Sequence, residues 1–270
     1  MSFVAAEEAA RAIGSDRLEM LRALPDLALG AIAGRDSVAA IVAAVREGEL
    51  FTVLPTSVAT GTEYGDPDAP LHAVGVLRAT LDGEADVLDP IRIGSPRLWA
   101  ALNGRFAAEI AHRYGLYSPC LACHLYVHLA RVPLSWALGG APIITGERET
   151  HDGRVKLSQS AASIDAETRV LAHAGVELLT PLRESSGAEI EALVPSWAEQ
   201  DERLRCVHAG NFEMLDGSVT LDATAYRRYL DEFFEPAGRA IVEAWRIGGA
   251  DRSTEPPYAA IVAGVLQRAE

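Results

Sequence analysis

Cysteine is scarce in this chain of 270 residues, which contains only three. A disulfide framework normally uses an even and larger number of cysteines, so the sequence disfavours the class of small secreted domains that disulfides stabilise. Cys120 and Cys123 form a Cys-x-x-Cys pair, and Cys206 follows far downstream. In a reducing compartment such a pair indicates metal binding or redox chemistry rather than a structural disulfide.

Long apolar runs are missing as well. No stretch reaches the roughly 18 residues that a membrane-spanning helix needs. The first twenty residues carry too many charged side chains for the apolar segment of a secretory signal; these are Glu7, Glu8, Arg11, Asp16, Arg17 and Glu19. The sequence therefore predicts a cytoplasmic protein without a membrane partner.

Positive charge is in the minority, with 24 basic residues against 38 acidic ones and a net charge of −14. Nucleic-acid binding usually needs a basic face that neutralises phosphates, and no cluster of lysine or arginine is visible. A small-molecule substrate is therefore favoured and tRNA is disfavoured, although the charge does not exclude it. The composition is ordinary for a globular protein with a buried core. A homodimer is compatible with the sequence.

Apolar runs and helical segments alternate along most of the chain. Runs that predict strands cover residues 27–33, 50–54, 85–93, 141–145 and 176–180, and helical patterns separate them. Parallel strands need crossovers of this length, so the pattern predicts an α/β fold with a parallel sheet. We expect an N-terminal helix (residues 1–24, with the pattern over 3–24), an α/β domain (25–215) and a C-terminal helical extension (216–270) packed as one unit.

A short turn of small residues follows the first of these strands. It reads Ile32, Ala33, Gly34, Arg35, Asp36 and Ser37, and a predicted helix begins directly after it. Backbone N–H groups in such a turn, together with the positive N-terminus of the helix, suit a phosphate. An ordinary strand-to-helix turn also uses glycine and a capping residue, so this motif alone is not specific.

A second candidate segment, residues 145–159, is a loop after the buried run 141–145. It opens with Thr145, Gly146 and Glu147 and is rich in charged side chains. Loops at the carboxyl ends of parallel strands often carry function. Its candidates for substrate activation are His151, Asp152 and Lys156, because the loop places them at that edge of the sheet.

The cysteines admit several interpretations. Ser118 and Pro119 place Cys120 in the first turn of a helix, where thiolates are favoured. Cys-x-x-Cys followed by His124 matches the c-type haem pattern, which belongs to exported proteins. A redox dithiol leaves Cys206 unexplained. A zinc site could add His124 or His128 to the three sulfurs, and a [4Fe–4S] cluster on three cysteines leaves one iron open. Three cysteines buried as small apolar side chains is the remaining alternative.

The order of these motifs resembles the PP-loop ATP pyrophosphatases, also called adenine nucleotide alpha hydrolases. In that superfamily a strand, the motif S-G-G-x-D-S/T and a helix come first, and residues 32–37 are similar to that motif. Residues 143–147 are similar to its later T-G-E element, and residues 176–190 to its R-P-L … E-I segment. The resemblance implies a Rossmann-like sheet with helices on both faces. It also implies ATP and Mg²⁺ at Asp36 and a nucleotide site at Ala33, Gly34, Arg35, Asp36, Ser37, Thr145, Gly146 and Glu147.

The spacing of the cysteines is similar to that of the iron–sulfur tRNA thiolases within this superfamily. That similarity implies a [4Fe–4S] cluster on Cys120, Cys123 and Cys206. It also implies a reaction in which ATP adenylates a carbonyl oxygen of the substrate and sulfur then replaces that oxygen. The catalytic candidates are Asp36, His151, Asp152 and Lys156.

The chain departs from the superfamily motif at its start, where Ile32 and Ala33 replace serine and glycine. A methyl group at Ala33 crowds the position of a pyrophosphate, while Arg35 offers a substitute phosphate ligand. We therefore expect an iron–sulfur sulfur-transfer enzyme with a degenerate PP-loop. Removal of sulfur without ATP is a variant of this function. The alternatives are an ATP-dependent amide or C–N ligase with zinc or no metal, and a non-catalytic module that binds a nucleotide or metal.

Overall fold

A computed structural model describes residues 4–5, 13–24, 26–48, 50–151, 153–197, 204–214, 216, 218–248 and 255–268. Within them a parallel sheet has the strand order β1-β6-β3-β2-β7-β8, and β5 also pairs with β3. These strands are β1 (Val4–Ala5), β2 (Leu27–Ala31), β3 (Thr52–Val58), β5 (Asp86–Val87), β6 (Ile91–Gly94), β7 (Ile143–Ile144) and β8 (Leu178–Leu179). A separate antiparallel pair joins β4 (Glu63–Tyr64) to β9 (Arg205–Cys206).

Helices connect most of the strands. They are α1 (Ser15–Arg22), α2 (Arg35–Glu47), α3 (Ala69–Thr80), α4 (Pro96–Trp99), α5 (Ala107–Tyr114), α6 (Pro119–Leu129), α7 (Val132–Ala137), α8 (Ala161–Ala174), α9 (Gly187–Leu193), α10 (Ala223–Tyr229), α11 (Glu235–Ile247) and α12 (Tyr258–Arg268). Short π-helical segments, Ala100–Gly104 and Leu230–Phe234, follow α4 and α10, and the 3₁₀ turn Leu157–Gln159 precedes α8.

The sheet separates two hydrophobic cores. Successive strand residues point to opposite faces, and here Leu29 and Leu54 join one core while Ala28 and Val53 join the other. Helices α2, α3 and α9 cover the second face, and α6, α8, α11 and α12 cover the first. All five residues of β2 are buried, as expected for a central strand of a parallel sheet that helices cover on both sides.

The C-terminal helices belong to the first core. Phe233, Trp245 and Tyr258 are buried in the same cluster as Leu125 of α6 and Val170 of α8. Gly238 of α11 lies so close to α8 that a Cβ atom on it would come within 2.8 Å of Val170 Cγ1. The predicted extension therefore packs against the α/β core through a side of α11 that has no room for a side chain.

The predicted α/β class with a mostly parallel sheet is confirmed, and the main differences concern element boundaries. β3 runs on to Val58, past the predicted end at residue 54. The predicted strand 85–93 is divided into β5 and β6, with Pro90 between them. Proline cannot donate to a strand ladder, which accounts for a break at this point.

The prediction of one N-terminal helix over residues 3–24 is wrong at its start. Val4 and Ala5 form β1, which pairs in parallel with Ile93 and Gly94 of β6. The helical pattern is realised as α1, and residues 6–12 lie outside the described part of the chain. An apolar pair has no periodicity of its own, so a local pattern does not distinguish an edge strand from the first turn of a helix.

Among the described helices, none has both the length and the apolar character that crossing a membrane would require.

Two helical glycines offer a matched test of the packing between α8 and α11. Gly238→Ala places a methyl group against Val170, so we expect a loss of about 1–3 kcal/mol in the free energy of unfolding. Gly75 of α3 is exposed and has open space around its Cα. Gly75→Ala should therefore stabilise the protein by about 0.4–1 kcal/mol, because alanine restricts the unfolded chain.

Urea denaturation of both variants measures these changes. Equal stabilities for the two variants would contradict the close contact between α8 and α11.

Candidate functional site

One large cavity opens at the carboxyl edge of the central strands. Its volume is about 930 Å³, within the range of roughly 300–1,000 Å³ that is usual for small-molecule sites. Its walls include residues 31–37 at the end of β2, five residues at and beyond the end of β3, and Thr145 to Glu147 after β7; the five are Ser57, Val58, Thr60, Thr62 and Glu63. Ligands bind at this edge in parallel α/β sheets because the loops after successive strands meet there.

The side chain of Ser37 stabilises the turn at residues 33–37 through hydrogen bonds within the turn. Its hydroxyl accepts hydrogen bonds from the backbone N–H groups of Ala33 (2.9 Å) and Gly34 (3.0 Å) and donates to the carbonyl oxygen of Gly34 (2.6 Å). Two of the N–H groups that a phosphate would need are therefore already occupied within the loop.

Gly146 brings the two predicted nucleotide-binding segments into contact. A Cβ atom on Gly146 would lie 2.7 Å from Ser37 N and 2.7 Å from the carbonyl carbon of Asp36. These neighbours are backbone atoms and cannot turn aside, so only glycine fits this position. The segment Thr145 to Glu147 thus packs directly on the N-terminus of α2.

Both carboxylate oxygens of Asp36 face arginines. Oδ2 accepts a hydrogen bond from Arg148 Nε at 2.9 Å, and Oδ1 accepts one from Arg35 Nε at 3.2 Å. Arg148 is buried, so its pair with Asp36 is largely shielded from solvent. A magnesium ion at Asp36 would therefore compete with these two arginines for the charge of the carboxylate.

His151 and Lys156 lie near this pair of charges, whereas Asp152 falls outside the described residues. His151 is buried, and burial together with the nearby cations of Lys156 and Arg148 lowers its pKa to about 4. Lys156 lines the cavity, and desolvation is the main reason that its pKa is also lowered. The imidazole is therefore neutral at neutral pH.

All three cysteines line the same cavity. Cys120 lies in the first turn of α6 and donates to the carbonyl oxygen of His208 at 3.4 Å. Cys123 accepts a hydrogen bond from Trp99 Nε1 at 3.4 Å. Cys206 lies on β9, where its sulfur is 3.3 Å from Thr62 Oγ1. The pairing of β9 with β4 therefore places Cys206 in the same cavity as Cys120 and Cys123 of α6.

The expectation of a thiolate at the helix N-terminus does not hold for these free thiols. Burial raises the pKa of Cys120 to about 11 and that of Cys123 to about 12, and Cys206 raises both further by electrostatic repulsion. Desolvation thus outweighs the favourable field of the helix. All three cysteines are free thiols.

A second set of ionisable side chains lies beside the cavity. His124 Nδ1 and Glu147 Oε1 are 2.9 Å apart, and His128 Nε2 lies 3.4 Å from Glu147 Oε1 and 3.6 Å from Glu167 Oε2. Burial alone would lower the pKa of His128, but the two carboxylates raise it to about 9. Burial opposes ionisation of Glu147, yet both histidines hold its pKa well below the usual range.

The structure therefore gives the histidines of α6 carboxylate neighbours. Among the described residues, the set with three possible ligand atoms within 4.8 Å of one another is His128, Glu147 and Glu167, and it contains no cysteine. A zinc site made from the three cysteines with His124 or His128 is thus not assembled. Mononuclear zinc would hold its sulfurs about 3.8 Å apart, as its bond lengths require.

The sequence reasoning missed Glu167, although a signal was present. Ile164, Glu167, Val170 and Leu171 follow the spacing of one helix face, and all four are buried. A glutamate on an otherwise apolar face needs a buried partner. Trp99 packs against the first core and also lines the cavity, where it stacks on His208 with ring centroids 6.4 Å apart.

Together the parallel sheet and the cavity at its carboxyl edge define an α/β protein with a cysteine-lined site of small-molecule size. No family model matches the chain. The chain is 36% identical to the uncharacterized protein MJ0009 of Methanocaldococcus jannaschii over 225 residues, which cover 82% of this chain and 81% of the archaeal protein. The chain therefore belongs to the same family as that archaeal protein.

Gly146→Ala tests the contact between the two loop segments. Because the new methyl group meets backbone atoms of Asp36 and Ser37, we expect a loss of about 1–3 kcal/mol in the free energy of unfolding. Gly34→Ala is the control, since its Cβ atom would meet nothing within 4 Å. It should cost about 0.5 kcal/mol, the usual difference between glycine and alanine at a helix N-cap.

Chemical denaturation distinguishes the two variants. A Gly146→Ala protein as stable as Gly34→Ala would show that the segments are not in contact.

The low pKa of His151 predicts a pH dependence of stability. The folded protein binds a proton at His151 only near pH 4, whereas the unfolded chain does so near pH 6.5. Between these values the unfolded state binds more protons, so the contribution of His151 to stability is lost as pH falls from about 6.5 to 4. His151→Asn removes this titration, so the variant should lose less stability than the wild type between pH 7 and pH 4.5.

Proposed function

We propose that this protein is a sulfur-transfer enzyme that holds a [4Fe–4S] cluster on Cys120, Cys123 and Cys206. Its substrate is a small molecule or nucleobase with a carbonyl or thiocarbonyl carbon. The observation that carries this proposal is that all three cysteines of the chain line one cavity together with the turn at residues 33–37. The cavity is large enough for such a substrate beside a bound cluster.

The state of the thiols favours a metal centre over the other interpretations. A redox dithiol needs a thiol of low pKa as the attacking group. Burial instead raises the pKa of Cys120 and Cys123. A bound metal deprotonates coordinating thiols outright. A cluster attaches each thiolate to a different iron, so it suits sulfurs that are too far apart for one zinc ion. When bound, such a cluster supplies an iron without a protein ligand, where sulfur can bind.

Contacts within the loop favour removal of sulfur over its insertion. Ser37 occupies the N–H groups of Ala33 and Gly34, and two arginines occupy the carboxylate of Asp36. Both arrangements compete with the phosphates and magnesium of ATP. In desulfuration, water supplies the oxygen that replaces sulfur at the thiocarbonyl carbon, and sulfur leaves as hydrogen sulfide. The reaction has no net redox change and consumes no nucleotide.

Lys156 is the group that we assign to proton transfer in this reaction, with His151 as a neighbouring group that does not line the cavity. Lys156 lines the cavity and has a lowered pKa, so its neutral form is more accessible than that of an ordinary lysine. His151 is neutral at neutral pH, and the charge of Lys156 influences its pKa. The lowered pKa of Lys156 lies nearer the working pH, which suits general acid–base catalysis. The low pKa of His151 makes it a weak base.

ATP-dependent thiolation is the second candidate. It is supported by two cations that line the cavity near the N-terminus of α2, Arg35 and Lys156. Cations and a helix N-terminus together attract phosphate groups. In this direction the substrate oxygen leaves on AMP, pyrophosphate is released, and a sulfide ion supplies the sulfur.

The iron and sulfide content of anaerobically purified protein tests the cluster. We expect about four iron and four sulfide ions per chain, as a [4Fe–4S] centre requires. Cys120→Ser, Cys123→Ser and Cys206→Ser should each lose most of this iron. Ser15→Ala is the control, because Ser15 is exposed at the start of α1 and bonds to Asp16 Oδ1; this variant should keep its iron.

The same preparations distinguish the two reaction directions when they are incubated with a thiolated pyrimidine. Sulfide release without ATP indicates desulfuration, whereas AMP formation with an oxygen-containing pyrimidine and sulfide indicates thiolation. Protein that contains no iron, or cysteine variants that keep it, would contradict the proposal.

A further inference from the structure

Four ionisable side chains from three parts of the chain meet beside the cavity. His124 and His128 lie one turn apart on α6, Glu147 follows β7, and Glu167 lies on α8. His128, Glu147 and Glu167 are respectively 1%, 5% and 0% exposed. Burial of several charged groups is costly unless each is paired and hydrogen-bonded.

This cluster is poorly satisfied by the protein alone. Both ring nitrogens of His128, both carboxylate oxygens of Glu167 and Oε2 of Glu147 have no hydrogen-bond partner. Buried polar atoms in native proteins almost always have one, so a group of such atoms at one place suits the binding of an ion. The three residues direct one ligand atom each to a common region, since these atoms lie within 4.8 Å of one another.

The distances fit a metal ion better than they fit hydrogen bonds. Nε2 of His128 lies 3.4 Å from Glu147 Oε1 and 3.6 Å from Glu167 Oε2, whereas a charge-assisted hydrogen bond is about 2.7–2.9 Å long. Nitrogen and oxygen ligands at about 2.1 Å from a tetrahedral ion are roughly 3.4 Å apart. The observed spacing is therefore that of neighbouring ligands around one ion.

The geometry points to a divalent transition-metal site formed by His128, Glu147 and Glu167, separate from the cysteine site. Two carboxylates balance the charge of a divalent ion. The imidazole selects a first-row transition metal such as zinc, iron or manganese over magnesium and calcium, which take oxygen ligands. His124 acts as a positioning residue, because its hydrogen bond to Glu147 Oε1 fixes the orientation of that carboxylate.

The site faces the cavity on one side. His128 and Glu147 line the cavity, whereas Glu167 does not. The protein thus supplies three ligands from one side and leaves the remaining position towards the cavity, the arrangement that is typical of catalytic rather than structural metal sites. The bound ion would polarise a water molecule or a substrate atom in the same cavity that the cysteines line.

Cobalt titration of the full-length protein after chelator treatment tests this inference. Cobalt bound by nitrogen and oxygen ligands gives weak visible d–d bands, while cobalt bound by thiolates adds intense near-ultraviolet charge-transfer bands. We expect one equivalent of cobalt with the nitrogen–oxygen signature. Cys120→Ser combined with Cys123→Ser and Cys206→Ser should leave that equivalent in place, so the result is independent of the iron–sulfur proposal.

Glu167→Gln should weaken this cobalt binding by about 100-fold or more, because loss of a direct ligand costs at least as much as loss of a group that orients one. Glu84→Gln is the control, since Glu84 pairs with Arg46 at the surface. His128→Gln is a second test if Glu167→Gln does not fold. Wild-type protein without a nitrogen–oxygen cobalt signal, or a folded Glu167→Gln or His128→Gln variant that binds cobalt as the wild type does, would overturn the inference.

Discussion

The parallel pairing of β2 with β3 on one side and β7 on the other is the constraint on which the candidate site depends. It fixes Leu29 opposite both Leu54 and Ile143, so all three strands end at one edge of the sheet. The loops that follow them then share one space. Because β2 is buried on both faces, its register cannot shift without moving apolar side chains between the two cores. The register of these strands therefore determines where the loops that line the cavity lie.

Two chemically different sets of side chains meet in that space. Two of the cysteines lie on α6, and the third lies on β9, which pairs with β4. The histidines arrive from later turns of the same helix α6, and carboxylates from β7 and α8 face them. Helix α6 therefore presents thiols in its first turns and imidazoles further along. The proposed cluster and the proposed transition-metal site share one structural support.

Much of the fold follows from local pattern. Apolar runs of five to nine residues, separated by helical segments, suffice for the α/β class, and the strand β2 lies where the first run predicts it. Local pattern could not predict that Val4 and Ala5 form a strand, because this strand depends on pairing with β6, almost ninety residues away. All three cysteines line one cavity, but their service as one metal site stays a prediction. The partners of His124 and His128 were not predicted. Glu167 is distant in sequence, and only the packing of α8 on α6 brings it to them.

The central claim is that the three cysteines hold one cluster with an open iron. Mössbauer spectroscopy of protein enriched in ⁵⁷Fe and purified without oxygen tests it most directly. A [4Fe–4S] cluster on three thiolates should give a spectrum in which roughly one iron in four differs from the others, and a thiocarbonyl ligand should shift that minor component alone. A spectrum of a single mononuclear iron, or protein without iron at these cysteines, would contradict the account.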